Sequence, residues 1–298
     1  MATQTISTGR KRQLSGSWYR LQQGGLITIT NLILLFAVFL TAVPYIYMIS
    51  SSFKPQYEIF TFPVQLLPET VFTENYITLF SETLFIRWFA NTLIVALGRG
   101  GLSIFLCLIA GFAFAKYEFP LKRSLFIFIL ASLTLPFEIL LVPLYTMMVG
   151  LEQSGFRALN TYWVLIVPFA ASGFGIFLAR QYCLAIPTEL MEAARIDGSS
   201  EFGIFFRVAL PNLLPAIAVM GIIFFNGAWN DFLWPLIVLN DQTKYVINLA
   251  LPTLRGPYGD QYGLVLAGAV VATLPVMLIF MTMQRYFIEG LMAGALKG

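Results

Sequence analysis

Apolar residues run through this chain in long blocks separated by polar stretches, without the alternation of half-buried strands. Blocks long enough to cross a hydrocarbon layer, roughly 20 residues each, fall at 26–49, 89–114, 124–149, 162–179, 212–239 and 264–284. Lipid offers backbone amides no partner, so each block is expected to be helical. The pattern predicts an all-α polytopic membrane protein with six transmembrane helices. The fifth block is too long for one straight helix, and Pro235 is expected to break it near one membrane face. Residues 1–25 then form a leading segment, 26–284 one six-span domain and 285–298 a tail.

Composition sharpens the picture. Of 298 residues, 58% are hydrophobic and only 11% charged, where a soluble domain carries about a quarter. The net charge of +3 says less than its placement. Twelve Lys and Arg fall on the side that holds both termini and the loop 181–211, against five on the other. The richer side is expected to be cytoplasmic. Arg10, Lys11, Arg12 and Arg20 precede a first apolar run too long for a cleaved signal, so that span is expected to be retained. Dispersed basic residues exclude a nucleic-acid face. Cys107 and Cys183 lie in a span and a loop, which argues against a disulfide. With no histidine, the commonest metal ligand and general base are missing. Neither a phosphate-cradling Gly-x-x-x-x-Gly-Lys-Ser/Thr nor a nucleophile constellation occurs, so the chain is not expected to be an enzyme.

The loop 181–211 carries helix-start and helix-stop residues. Pro187 suits the start of a helix, with Thr188 or its predecessors as cap. Glu189 and Glu192 lie early, where carboxylates favour the helix dipole, and Arg195 is spaced to pair with Glu192. Gly198 supplies a left-handed stop. Ser199 or Ser200 caps a second amphipathic helix, 201–210, ended by Pro211. Small Ala193 and Ala194 leave a low surface that a partner can approach; the alternative is an interfacial helix lying on the bilayer.

Glu192-Ala193-Ala194, three residues, Gly198, nine residues and Val208-Ala209-Leu210-Pro211 resemble the signature loop of ABC-importer permease subunits, with Val208 where that pattern has Ile. Ala194-Arg195-Ile196-Asp197-Gly198, Asn91-Thr92-Leu93-Ile94-Val95, Trp229-Asn230-Asp231-Phe232-Leu233-Trp234-Pro235-Leu236 and the tail Gly290–Gly298 are similar to the carbohydrate branch, the six-span maltose-type permeases. The resemblance implies the type I importer fold in a bacterial inner membrane and a coupling helix docked on an ATPase. Glu192, Ala193, Ala194, Asp197, Gly198, Leu210 and Pro211 would form that coupling element. It further implies a second, related permease, two ATPase subunits that hold ATP and Mg, an extracytoplasmic binding protein, and a sugar or polyol as cargo. No cofactor is expected in this chain. Gln284 and 294–298 match a tail that reaches between ATPase subunits in that family, and 251–259 a loop that enters the binding protein's cleft.

Charges at membrane depth cost roughly 2.5–3.5 kcal/mol each by insertion scales, so each calls for a reason. Arg99, between Gly98 and Gly100, either neutralises Glu138 or lines a polar pathway. Glu138 lies between Pro136 and Pro143 and either faces a cavity or bears on substrate choice. Trp229, Asn230 and Asp231 combine an aromatic, an amide and a carboxylate, a set that can stack on and hydrogen-bond a sugar; Asp231 is otherwise a helix cap. Gly263, Ala267, Gly268 and Ala272 make a small-residue face for close packing. Three competitors remain: a glycerol-phosphate importer using Arg99, a proton-coupled carrier using Glu138 and Asp231, and a membrane enzyme, which the missing constellation disfavours.

Overall fold

The computed structural model describes the backbone over residues 16–256 and 261–295 and side chains over 27–256 and 261–284. Among the described residues every regular element is a helix. Three helices are long and apolar enough to cross a membrane unbroken: α1 (Gly16–Ser52), α4 (Phe85–Lys116) and α15 (Tyr262–Ala295). Between α1 and α4 lie the short α2 (Gln56–Ile59) and α3 (Glu74–Ser81). The remaining apolar runs are bent. Helix α5 (Lys122–Ser132) meets α6 (Phe137–Gln153) at 102°. Helix α7 (Trp163–Ile166), extended by the 3-10 turn Val167–Phe169, meets α8 (Gly173–Leu184) at 51°. After α9 (Thr188–Ile196), a segment made of α10 (Glu201–Gly203), the π-helical Ile204–Ala209 and α11 (Leu210–Asn212) turns by 78° into α12 (Leu214–Trp229). Helix α13 (Leu233–Val238), the turn Gln242–Lys244, α14 (Ile247–Ala250) and the turn Leu251–Arg255 lead to α15. Six membrane crossings result when each bent run counts as one.

The bends follow from proline and from who accepts the freed carbonyls. Pro136 has no N–H and sits extended (φ −60°, ψ 138°) ahead of α6, which stops α5 just upstream. Ser132 and Thr134 hydroxyls then donate to the carbonyls of Ile129 and Ala131. At the second bend, Ser103 Oγ on α4 donates to Phe169 O at 2.9 Å, and Cys107 Sγ to Ser172 O at 3.6 Å. One finding corrects the expectation for the fifth run. The chain breaks at 230–232, upstream of Pro235, which lies in the first turn of α13. There an absent N–H costs nothing, because first-turn amides have no helical acceptor. The third and fourth runs, expected as single helices, are broken too.

Helix α4 is the spine. At one end, Phe85, Trp88 and Ala96 pack with Trp229, Ile247 and Ala267. At the other, Cys107, Leu108 and Phe112 pack with Cys183, Met191 and Ile204. A third cluster gathers Val95, Met148, Val164 and Trp234. Helices α4 and α8 approach to backbone contact: a Cβ on Gly111 would lie 2.5 Å from Ala179 Cβ, and one on Gly175 2.6 Å from Cys107 Sγ. The small face on α15 serves the same end, since a Cβ on Gly268 would meet Leu251 at 2.7 Å. Close approach of this kind holds helices together where lipid competes equally for apolar surface. From Ile27 to Leu40, α1 exposes its apolar side chains on all sides.

Candidate functional site

The first candidate site is the polar loop after α8. Lys116, at the end of α4, donates to the carbonyl of Ile186 and fixes the loop to the spine. Pro187 (φ −58°, ψ 135°) is the residue before α9, and Thr188 is its first helical residue; neither side chain caps the helix. Only Met191 is buried, in the cluster around Cys107. Glu192, Ala193, Arg195, Ile196, Asp197 and Gly198 are exposed, Ile196 by 86%. Phe202, just past the turn, is exposed as well.

The helix ends as the glycine requires. Gly198 takes φ +82°, its N–H donates to Arg195 O at 3.0 Å, and Ser199 N–H reaches Ala194 O at 2.9 Å. This pair of bonds is the Schellman stop, which only glycine enters without strain. Ser200 then caps the next helix, its Oγ accepting from Gly203 N at 3.2 Å.

Two expectations need correction here. Arg195 pairs with Glu201 across the turn, not with Glu192: Nε lies 2.8 Å from Oε1 and Nη2 3.1 Å from Oε2. The tight stop folds the second helix back over the first, so a partner across the turn wins over one on the same helix. Tyr117, just past α4, donates its hydroxyl to Glu201 Oε2. These donors hold the Glu201 carboxyl down at about 2. Glu192 has no ion pair or hydrogen bond among the described residues and stays available to a partner. Nor does Pro211 end the second helix. The helix widens to π spacing, with Leu210 N–H donating to Phe205 O, and runs to Asn212 before turning at Leu213. Asn212 Nδ2 caps the carbonyl of Val208 at 2.7 Å. Leu210 packs partly into the core and Pro211 is exposed.

The second candidate site is the break between α12 and α13. Arg99 Nη1 lies 2.9 Å from Asp231 Oδ2, both side chains about four-fifths covered. The guanidinium rests 3.8 Å above the Phe169 ring, a cation–π contact worth about 2 kcal/mol when desolvated. The expected Arg99–Glu138 pair is thereby overturned. Glu138, in the first turn of α6, is exposed and has no partner among the described residues. Asn230 and Asn226 bond one another at 2.8 Å and face outward with Gly227. Trp229 turns inward: its ring is 1% exposed, stacks on Phe225 and donates Nε1–H to Ala272 O at 3.0 Å. It has no face left for a sugar.

The structure thus unites Arg99 with Asp231, leaves Asn230 next to Asp231, leaves Glu138 unpaired among the described residues and turns Trp229 into the core. Sequence reasoning missed Asn226 and Phe169, though Asn226 was findable one turn before Asn230. It also missed the latch at the far end of α4. There Asn91 Nδ2 donates to the carbonyls of Thr243 and Tyr245, Thr92 Oγ1 accepts from Ile247 N, and Asn248 Nδ2 caps Trp229 O. Part of the expected loop 251–259 and the tail residues 296–298 lie outside the described residues.

Residues 103–292 match a family model described as binding-protein-dependent transport system inner membrane component. The chain is 38% identical over 266 residues to the arabinooligosaccharides transport system permease protein AraQ of Halalkalibacterium halodurans, covering 88% of this chain and 94% of AraQ. It is 31% identical to the sn-glycerol-3-phosphate transport system permease protein UgpE of Brucella abortus, covering 88% and 95%. Among solved structures, a bacterial ABC transporter that imports the acidic polysaccharide alginate aligns with a TM-score of 0.77 at 22% identity, covering 89% of this chain and 98% of that one. At that identity the likeness speaks to the fold.

Proposed function

The chain belongs to the binding-protein-dependent transport system inner membrane components, and from that premise we propose that it is the permease subunit through which an ATP-driven importer moves an oligosaccharide. The observation that carries the proposal is the exposed, rigidly terminated helix α9. It presents Glu192 and Ile196 unpartnered while its neighbour Arg195 locks it to the spine through Glu201. The chain has no phosphate-binding loop of its own, so the energy would enter here from a separate ATPase that holds ATP and Mg. In this reading the loop side is cytoplasmic, a second permease completes the pathway, and a binding protein delivers substrate to the opposite face. Alternating access would follow from ATPase closure moving α9, and with it α4 and α8.

Sugar is favoured over glycerol phosphate by the state of Arg99. Its charge is matched by Asp231 at 2.9 Å, so it is not a free anion site. What faces outward beside it are the neutral amides Asn226 and Asn230, suited to hydroxyl groups. The test is uptake and ATP hydrolysis by the assembled complex carrying Glu192→Ala. Substrate-stimulated hydrolysis should fall at least several-fold with assembly intact; unchanged coupling would sink the proposal. Labelled arabinooligosaccharide against labelled glycerol phosphate, on the unaltered complex, separates the two cargoes.

A further inference from the structure

Beside the signature loop, on the same membrane face, a groove of about 690 Å³ opens between the end of α4, the start of α5 and α8. Its wall carries three cations, Lys122, Arg123 and Arg180, against one carboxylate, Glu118. Lys122 meets Glu118 at 2.8 Å. Arg180 lies 4.4 Å above the Phe126 ring, with Nε held by Phe114 O at 3.3 Å. Arg123 has no ion pair or hydrogen bond among the described residues. The floor is aromatic, Phe114, Phe119 and Phe126. The outer flank of α5 is apolar and bare, with Phe128 74% and Ile127 55% exposed.

Two physical points identify the occupant. Lys122 and Arg123 open α5, whose first turn has no acidic residue. Cations there oppose the helix dipole, and an anion seated between them and the amides of Arg123 and Ser124, which have no acceptor among the described residues, would remove that conflict. Next, the charge sits where a polar rim adjoins an apolar, lipid-depth flank, with aromatic rings at the boundary. A soluble anion needs no such flank. We propose that this groove holds the headgroup of an anionic phospholipid, its phosphate between Lys122, Arg123 and Arg180 and its chains along α5. The site rests on the topology proposed above and adds a lipid contact adjoining the coupling loop.

The test uses the assembled complex in nanodiscs of phosphatidylcholine doped with phosphatidylglycerol, followed by native mass spectrometry. The unaltered complex should retain phosphatidylglycerol in preference to phosphatidylcholine. Lys122→Gln with Arg123→Gln should weaken that binding roughly 25-fold, about five-fold per cation, while Arg157→Gln on the opposite face should not. Equal retention by the double variant overturns the site, as does equal retention of the two lipids by the unaltered complex. That second comparison decides alone if the double variant fails to assemble. Displacement by inorganic phosphate at equal concentration overturns the lipid in favour of a free anion. Labelling of Arg123→Cys from outside intact cells would overturn the topology and the transport reading with it. Loss of the lipid preference with residue 123 inside leaves that reading standing.

Discussion

The polar loop around α9 and the break around Asp231 are both interruptions of an apolar chain, yet they are held by different means. The turn of the loop is closed by neighbours in sequence, a glycine stop, a serine cap and an arginine reaching six residues ahead, and only its flanks are tied to the distant Lys116 and Tyr117. The break is held by groups far away in sequence: Arg99, 132 residues upstream of Asp231, and Asn248, which caps Trp229 O. Water can satisfy a loop's loose ends, so local bonds suffice to close the turn itself. In lipid it cannot, and the break must recruit partners from other helices. A protein that has to move keeps its adjustable surface where mistakes are cheap and its breaks where mistakes are costly.

That contrast can be broken most directly at Arg99. Arg99→Ala strands the Asp231 carboxylate within the spans, which should cost about 3 kcal/mol and appear as a lower thermal midpoint and reduced yield of complex. Adding Asp231→Asn should restore much of the loss. A stable single variant would mean that the break needs no distant partner. The next effect is smaller in energy and larger in consequence. Gly198→Val forces a branched residue to φ +82°, costing about 1–2 kcal/mol, with open space around the new Cβ. The complex should assemble near its normal midpoint, while ATP hydrolysis loses its response to substrate. Equal damage to both readouts would erase the distinction between the two regions.

The smallest effect concerns pH. The Glu201 carboxyl is held at about 2 by Arg195 and then Tyr117, against about 4.3 in an unfolded chain. A folded-state value below the unfolded one means the link contributes fully above about pH 5 and fades only as pH falls toward 2. Hydrogen exchange in 188–203, corrected for intrinsic rate, should therefore be flat from pH 8 to pH 5. Glu201→Gln should loosen the same segment at pH 7. A change in the unaltered protein between pH 7 and 5 would show that another group governs the loop.

The same division explains what could be read from the chain. Several long apolar helices, the left-handed Gly198 and a serine cap on the second helix follow from local rules, and the structure has them. The register of the ion pairs does not, because Glu192 and Glu201 are both within reach of Arg195 until the turn is folded. Trp229 beside Asn230 and Asp231 looked like a sugar platform. One residue of helix is a 100° rotation, and it points the ring at Ala272 of α15 while Asn230 faces outward. The break upstream of Pro235 was hidden for a related reason: proline marks where a helix may start as well as where it stops.

Helix α4 runs between the two regions. Its far end is latched to 243–247 through Asn91 and Thr92, its middle carries Arg99, Ser103 and Cys107 to the breaks, and at its near end Lys116 and the following Tyr117 hold Ile186 and Glu201, on either side of α9. A straight helix of 32 residues is about 48 Å long, so each degree of tilt about one end displaces the other by about 0.8 Å. Tilted as one body, it would act as a lever arm. A force on the nine-residue α9 at one surface would then arrive at the opposite surface as ångström-scale travel of one rigid body.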